Sequence, residues 1–204
     1  MNNGMLFIIS APSGAGKSSL IKAVLKYKFL KNIQRSISFT TRVMRPGEFN
    51  GYHYHFISKK KFFNMKKKKE FLEYEKVFDN YYGTSNKLIN KILFQGKDVL
   101  LNIDFNGANK ILNSIYKIKR IAILPPSKKE LYKRLNKRNQ DTKKNIYNRI
   151  KNLSLDMIHY YKYDYLIIND NFELSVINLC SIIFSERLRF KKQKNIFKNF
   201  FKNI

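Results

Sequence analysis

The chain of 204 residues has one cysteine, Cys180, so no intrachain disulfide can form and nothing in its thiol content points to an oxidising compartment. No basic start opens it, and its first apolar stretch covers only residues 5–9. Such a stretch is too short for a secretory signal and far too short to span a bilayer, and no later run reaches membrane length. The reading is a soluble, cytoplasmic protein with no membrane partner. Acidic residues are scarce, 14 against 41 Lys and Arg, which leaves a formal net charge of +27. Taken alone, that balance suggests a polyanion partner: nucleic acid, anionic membrane or nucleotide phosphate. Yet the basic residues are mostly Lys scattered among Asn, Ile, Phe and Tyr, and no basic stretch is interleaved with a nucleic-acid-reading motif. The mixture reads as drift toward A/T-rich codons, and no specific nucleic acid is expected. There is no internal repeat, and His53 and His55 lack companion ligands at metal-binding spacing.

What is present suffices for a sizeable core: 44% hydrophobic residues, with 17 Phe and 13 Tyr. Residues 6–10 form a short apolar run of the kind buried in a parallel sheet. Small residues break it at 11–18, and a helical pattern follows through residue 25. Further buried-strand signals recur at residues 99–103, 118–124 and 165–168. Helices are expected at 86–95 (stopped by Gly96), from Ser127 onward, at 142–161, and at 173–198. Ser127 and Glu130 make a capping box directly after Pro125 and Pro126. Alternating strands and helices give an α/β fold with a parallel sheet. Residues 36–84 break the rhythm with short strand-like pieces (36–39, 54–57, 71–74) and turn residues at Arg45-Pro46-Gly47 and Tyr82-Gly83. The run Lys66 to Lys69 reads as a solvated face at a helix end.

Ala11-Pro12-Ser13-Gly14-Ala15-Gly16-Lys17-Ser18 matches the phosphate-loop pattern G-x-x-x-x-G-K-[ST], with Ala11 in place of the first glycine. Gly14 and Gly16 let the backbone curl so that successive N–H groups face one point, and the next helix adds the positive end of its dipole. Lys17 can reach the β and γ phosphates, and the Ser18 hydroxyl can ligate Mg²⁺. The loop implies a nucleoside triphosphate and says nothing of an acceptor.

The acceptor enters with a resemblance. Ser38-Phe39-Thr40-Thr41-Arg42-Val43-Met44-Arg45-Pro46-Gly47-Glu48 with Gly51 and Tyr54, then Phe71-Leu72-Glu73, and Asn80-Tyr81-Tyr82-Gly83-Thr84, resemble the GMP-binding segments of guanylate kinases. Asn102-Ile103-Asp104 with Gly107, residues 123–127 and residues 163–170 resemble three further blocks of that family, in the family's order. The resemblance spans nearly the whole chain. It implies a P-loop core at 1–35, 86–125 and 160–204, a small, mostly-β GMP-binding insertion at 36–85, and a helical lid at 126–159. It also implies transfer of a phosphoryl group from MgATP to GMP, with dGMP and a homo-oligomer left open.

The chemistry of the residues agrees with that expectation. Guanine offers N1–H and N2–H₂ donors side by side, and one carboxylate, Glu73, can accept from both. Ser38 and Thr84 can serve the remaining edge, and the resemblance adds Asp104 at the base. Arg42 and Arg45 present planar forks suited to phosphate oxygens; Tyr54 and Tyr82 would donate to the same phosphate, as the resemblance implies. Arg134 and Arg138 lie four apart on one helix face, with Arg149 further on. The family pattern sets arginines here over the moving phosphoryl group, and Asn169 resembles a residue that contacts the adenine of ATP. Lys17, Arg42, Arg134, Arg138 and Arg149 are thus the candidate catalytic residues. Two positions depart from the pattern: Asn102 stands where an aspartate is usual, and Asn139 where glycine is usual. An intact phosphate loop argues against a non-catalytic binding module of the same fold, and Glu73 with the Arg42/Arg45 block argues against adenylate as acceptor.

Overall fold

A computed structural model describes residues 4–77, 79–111, 116–138 and 160–202. Five strands form one parallel sheet: β1 (Leu6–Ser10), β2 (Ile33–Arg35), β7 (Asp98–Asn102), β8 (Ile118–Leu124) and β9 (Tyr165–Ile168), in the order β2-β7-β1-β8-β9. β1 lies in the middle, paired in parallel with β7 and β8. Its alternate side chains feed two separate cores. Phe7 and Ile9 join Leu20 and Val24 of α1 (Lys17–Val24) and Val176, Leu179 and Ile183 of α6 (Phe172–Leu188). Leu6 and Ile8 join Ile89 and Leu93 of α3 (Asn86–Phe94), with Ala108 of α4 (Phe105–Lys110). Burial on both faces is why β1 reads as an unbroken apolar run.

The second sheet has the order β4-β3-β6-β5, from β3 (Phe39–Thr40), β4 (His55–Phe56), β5 (Phe71–Val77) and β6 (Asn80–Ser85). β3 is parallel to β4, while β6 runs antiparallel to both β3 and β5. α2 (Lys59–Lys67) lies between β4 and β5 in the chain, capped by Ser58, and ends in the Lys66 to Lys69 run as expected.

Three expectations change. The strand expected at 36–39 forms only at its last residue: Phe39–Thr40 joins the small sheet, and a separate strand just before the piece, Ile33–Arg35, joins the large one. Tyr82-Gly83 is strand, not turn. Gly83 is there because a Cβ would come 2.9 Å from the Phe71 ring across the β5–β6 pair. The single helix read at 173–198 is two helices, α6 and α7 (Phe190–Lys202), broken at Arg189 by an extended backbone (φ −56, ψ 135). Gln193 Nε2 meets the carbonyl of Arg187 at 3.0 Å, satisfying one group that the break would orphan. α4, six residues long, is a helix that no sequence pattern marks. α5 (Lys128–Arg138) starts at the capping box as read, with Glu130 N donating to Ser127 Oγ at 3.0 Å. The helix expected at 142–161 lies outside the described residues save at its last positions.

Candidate active site

The phosphate loop leaves the carboxyl end of central β1, where a parallel sheet opens its ligand crevice. Gly14 (φ 90) and Gly16 (φ 91) hold left-handed backbone that side chains rarely adopt. Gly16 also caps α1 without any side-chain bond, so the helix's first N–H groups are left for a ligand. Lys17 Nζ donates to the Ile103 carbonyl at 3.0 Å. Burial lowers its pKa to about 8, partly opposed by the negative charge of Asp104.

From the other side, the small sheet presents Glu73 and Tyr82. A cavity of about 220 Å³ is lined by Lys17, Ser38, Tyr54, Glu73, Tyr82 and Asp104, together with Glu75, Val77, Asn102 and Ile103. The fold therefore brings the loop lysine and five of the acceptor-site candidates to one space. A larger depression, about 780 Å³, lies beside Lys68, Lys69 and Lys87 and shares none of the candidate residues.

Glu73 is 6% exposed and takes a 2.6 Å hydrogen bond at Oε1 from Thr84 Oγ1. Burial raises its carboxyl to about 7; the Thr84 bond opposes the shift and nearby Asp104 adds to it. Thr84 is fully buried, so it orients Glu73 instead of lining the cavity. Asp104 Oδ1 caps α4 by accepting from Gly107 N at 2.9 Å. Tyr54 and Tyr82 pack edge to face with ring centroids 5.8 Å apart.

Arg42 is held: its Nη2 lies 2.6 and 2.9 Å from the two oxygens of Glu48, and its Nη1 donates to the Val43 carbonyl. Its guanidinium also stands 5.7 Å from the Tyr54 ring centre. Arg45 is exposed on the turn that returns Glu48 to Arg42, and its backbone N–H donates to Glu48 Oε2. Ser13 and Ser18 are exposed on the loop, and Ala15 is buried beneath it.

The resemblance set Arg134 over the phosphates; here its Nε donates to Glu130 Oε1 and its Nη1 to the Asn169 carbonyl, both at 2.9 Å. Asn169, linked by resemblance to adenine, is 4% exposed and donates its Nδ2 to the Ala15 carbonyl at 2.7 Å. Arg138 ends α5, and Arg149 lies outside the described residues, as does Asn139.

A family model described as guanylate kinase matches residues 3–186. The chain belongs to the guanylate kinase family. It is 57% identical over 195 residues to a guanylate kinase of Buchnera aphidicola subsp. Schizaphis graminum, covering 96% of this chain and 94% of that protein. Against a guanylate kinase of Photorhabdus laumondii subsp. laumondii it is 51% identical over 193 residues, covering 95% and 93%. The crystal structure of guanylate kinase from Anaplasma phagocytophilum superposes with a TM-score of 0.75 at 28% identity, over 92% of this chain and 88% of that one. Guanylate kinases are nucleoside monophosphate kinases that phosphorylate GMP at the expense of ATP.

Two further residues hold candidate site side chains in place: Glu48 holds Arg42, and Gly107 packs against Glu73. Glu48 meets Arg42 because the Arg45-Pro46-Gly47 turn brings it back, and a separation of six residues is no periodic spacing that sequence would mark. Gly107 carries α4 against Glu73: a Cβ there would stand 3.0 Å from Glu73 Oε2. Nothing local in the sequence announces that approach.

Proposed function

We propose that this chain moves the γ-phosphoryl group of MgATP to GMP in the 220 Å³ cavity, giving ADP and GDP. The observation that carries the assignment of the site is that Lys17 and Glu73 face the same space. A phosphate oxygen of GMP attacks the γ phosphorus, and the bond to the β–γ bridging oxygen breaks as ADP leaves. Such a step asks for positioning and positive charge more than covalent help.

In this proposal the ionised Glu73 accepts from N1–H and N2–H₂ of guanine, with Ser38 at the base edge and Asp104 behind it. Arg42, Arg45, Tyr54 and Tyr82 hold the GMP phosphate. Residues 11–18 cradle the triphosphate, Lys17 bridges toward the γ phosphate, and Arg134, Arg138 and Arg149 belong to a lid, residues 126–159. The guanine edge and the phosphate are what these residues read, so dGMP falls within the same proposal.

Among the described residues no three His, Cys, Asp or Glu side chains group to hold a metal. Mg²⁺ that arrives with ATP needs few protein ligands, since phosphate oxygens and water supply the rest. The exposed Ser18 hydroxyl is a hard oxygen donor of the kind such an ion takes. When bound, Mg²⁺ neutralises charge on the β and γ phosphates. The compartment proposed is the cytoplasm; no described helix is long and apolar enough to cross a membrane.

A coupled ADP-release assay with MgATP, offering GMP, AMP, CMP and UMP to wild type and Glu73→Ala, tests the reading. Turnover with GMP alone, lost in the variant, is the expected result. Turnover with AMP undiminished in Glu73→Ala would remove Glu73 from the acceptor site.

A further inference from the structure

Asn169 follows β9 directly, and three of its groups are engaged. Its N–H donates to the Leu124 carbonyl at 2.7 Å, extending the β8–β9 ladder by one residue. Its carbonyl accepts from Arg134 Nη1 at 2.9 Å, which ties α5 to the same point. Its Nδ2 donates to the Ala15 carbonyl at 2.7 Å across 154 residues of sequence. The side chain is 4% exposed and does not line the cavity.

Ala15 sits between Gly14 and Gly16, whose φ values of 90 and 91 leave that peptide little side-chain restraint of its own. In a planar trans peptide the carbonyl of one residue and the N–H of the next point in opposite directions. A donor that fixes the Ala15 carbonyl on one side therefore aims the Gly16 N–H to the other. The fit is close as well: a Cβ on Gly16 would come 2.3 Å from Asn169 Nδ2.

We propose that Asn169 is a positioning residue of the phosphate loop. It acts through the Ala15 carbonyl on the Ala15–Gly16 peptide, and it serves the triphosphate of the donor, not its base. The assignment rests on the kinase reading for the donor's identity, but the loop contact itself does not depend on the acceptor. It follows that removing the amide weakens every ligand with a polyphosphate tail by the same factor, whatever base the ligand carries.

The experiment uses the full chain as wild type, Asn169→Ala and Asn169→Asp. Calorimetry measures inorganic tripolyphosphate with Mg²⁺; kinetics measures KM for ATP, UTP and GMP; thermal unfolding checks the fold. Asn169→Asp keeps the shape but sets a carboxylate against the Ala15 carbonyl. Tripolyphosphate binding is expected to weaken at least tenfold in both variants. The KM values for ATP and UTP should rise together, while that for GMP stays within twofold. Relative to wild type, Asn169→Asp should recover affinity at acid pH, where its protonated carboxyl again donates. Unchanged tripolyphosphate binding with a raised KM for ATP alone would make Asn169 a base contact and overturn the proposal. So would a rise in all three KM values that tracks lost thermal stability. If wild type forms no ADP from ATP and GMP, the kinase reading fails, while the tripolyphosphate measurements still decide the role of Asn169.

Discussion

Thr84 Oγ1 donates to Glu73 Oε1 over 2.6 Å, and both side chains are buried. The bond favours the carboxylate, whereas desolvation favours the neutral acid, and desolvation wins: the carboxyl sits near pH 7. A neutral Glu73 cannot accept from both guanine donors. GMP affinity should therefore climb with pH and level off above 7, with KM falling about tenfold between pH 6 and 8 as the ionised fraction rises. Glu73→Gln should show only the step due to the GMP phosphate itself. The sign for folding is opposite. Between about 4.5 and 7 the native state keeps a proton the unfolded chain has released, so this group's contribution to stability declines as pH rises through that window. Thr84→Val should move the KM step to higher pH, because it removes the bond that stabilises the charged form.

Lys17 runs the other way. Its amine is lowered to about 8 by burial, so between 8 and 10.5 the unfolded chain binds a proton that the nucleotide-free native state does not. Stability from this group thus rises with pH through that window. Phosphate bound beside Lys17 restores the proton, so the KM for MgATP should rise by about tenfold per pH unit above 8. Thermal unfolding with and without ATP from pH 7 to 10 measures both effects at once. A flat ATP-induced shift in melting temperature would show that Lys17 is already charged in the free protein.

Gly107→Ala separates stability from binding. The glycine lies in α4, and its φ is not in the left-handed region, so alanine costs no backbone strain and gains up to about 1 kcal/mol of helix propensity. Its methyl group, however, would press on Glu73 Oε2 at 3.0 Å. The KM for GMP should rise about tenfold, equivalent to ~1.4 kcal/mol, with the KM for ATP and the melting temperature unchanged or slightly higher.

These contacts also mark where sequence pattern stops being informative. The large sheet is legible because its strands carry apolar runs: β1, β7 and the second half of β8 are largely buried, and β9 is apolar although Leu166 and Ile168 are exposed. The phosphate loop was legible because curling a backbone around phosphate restricts residue choice at neighbouring positions, all within eight residues. The small sheet was read only in outline. Its strands are as short as two residues, below any periodicity, and Gly83 looks like a turn until Phe71 is seen beneath it. α4 is six residues long and held by a cap and by packing, with no amphipathic repeat to reveal it. The pairings Arg42–Glu48, Glu73–Thr84 and Asn169–Ala15 depend on tertiary approach, which no local rule encodes.

Arg42→Lys tests whether geometry or charge matters at the acceptor phosphate. Arg42 Nη2 spans both Glu48 oxygens while Nη1 bonds the Val43 carbonyl, so the planar fork is fixed in one orientation before any ligand arrives. Lysine keeps the charge and loses the fork. The KM for GMP should rise between about ten- and a hundredfold, or ~1.4–2.8 kcal/mol, with a smaller effect on melting temperature because lysine keeps a positive charge for the part-buried Glu48. An unaltered KM would mean that Arg42 contributes only net charge.

Asp98 marks the opposite end of the large sheet. Its Oδ1 accepts from Met5 N and its Oδ2 from Arg187 Nε, each at 2.7 Å, joining the starts of β1 and β7 to the last turn of α6. Asp98 is buried, so Asp98→Ala would leave the Met5 N–H without its acceptor and the Arg187 guanidinium without its counter-charge. Breaking a buried pair from one side costs about 3 kcal/mol or more. Asp98→Asn, which keeps an acceptor for Met5 but turns an amide toward Arg187, should cost less. The phosphate loop begins after Ser10, five residues and roughly 16 Å further along β1 at the strand's ordinary rise. Both variants should therefore lower the urea midpoint while leaving the KM values for ATP and GMP as they are. A kinetic change in Asp98→Asn at full folded population would show instead that the far end of β1 is coupled to the loop.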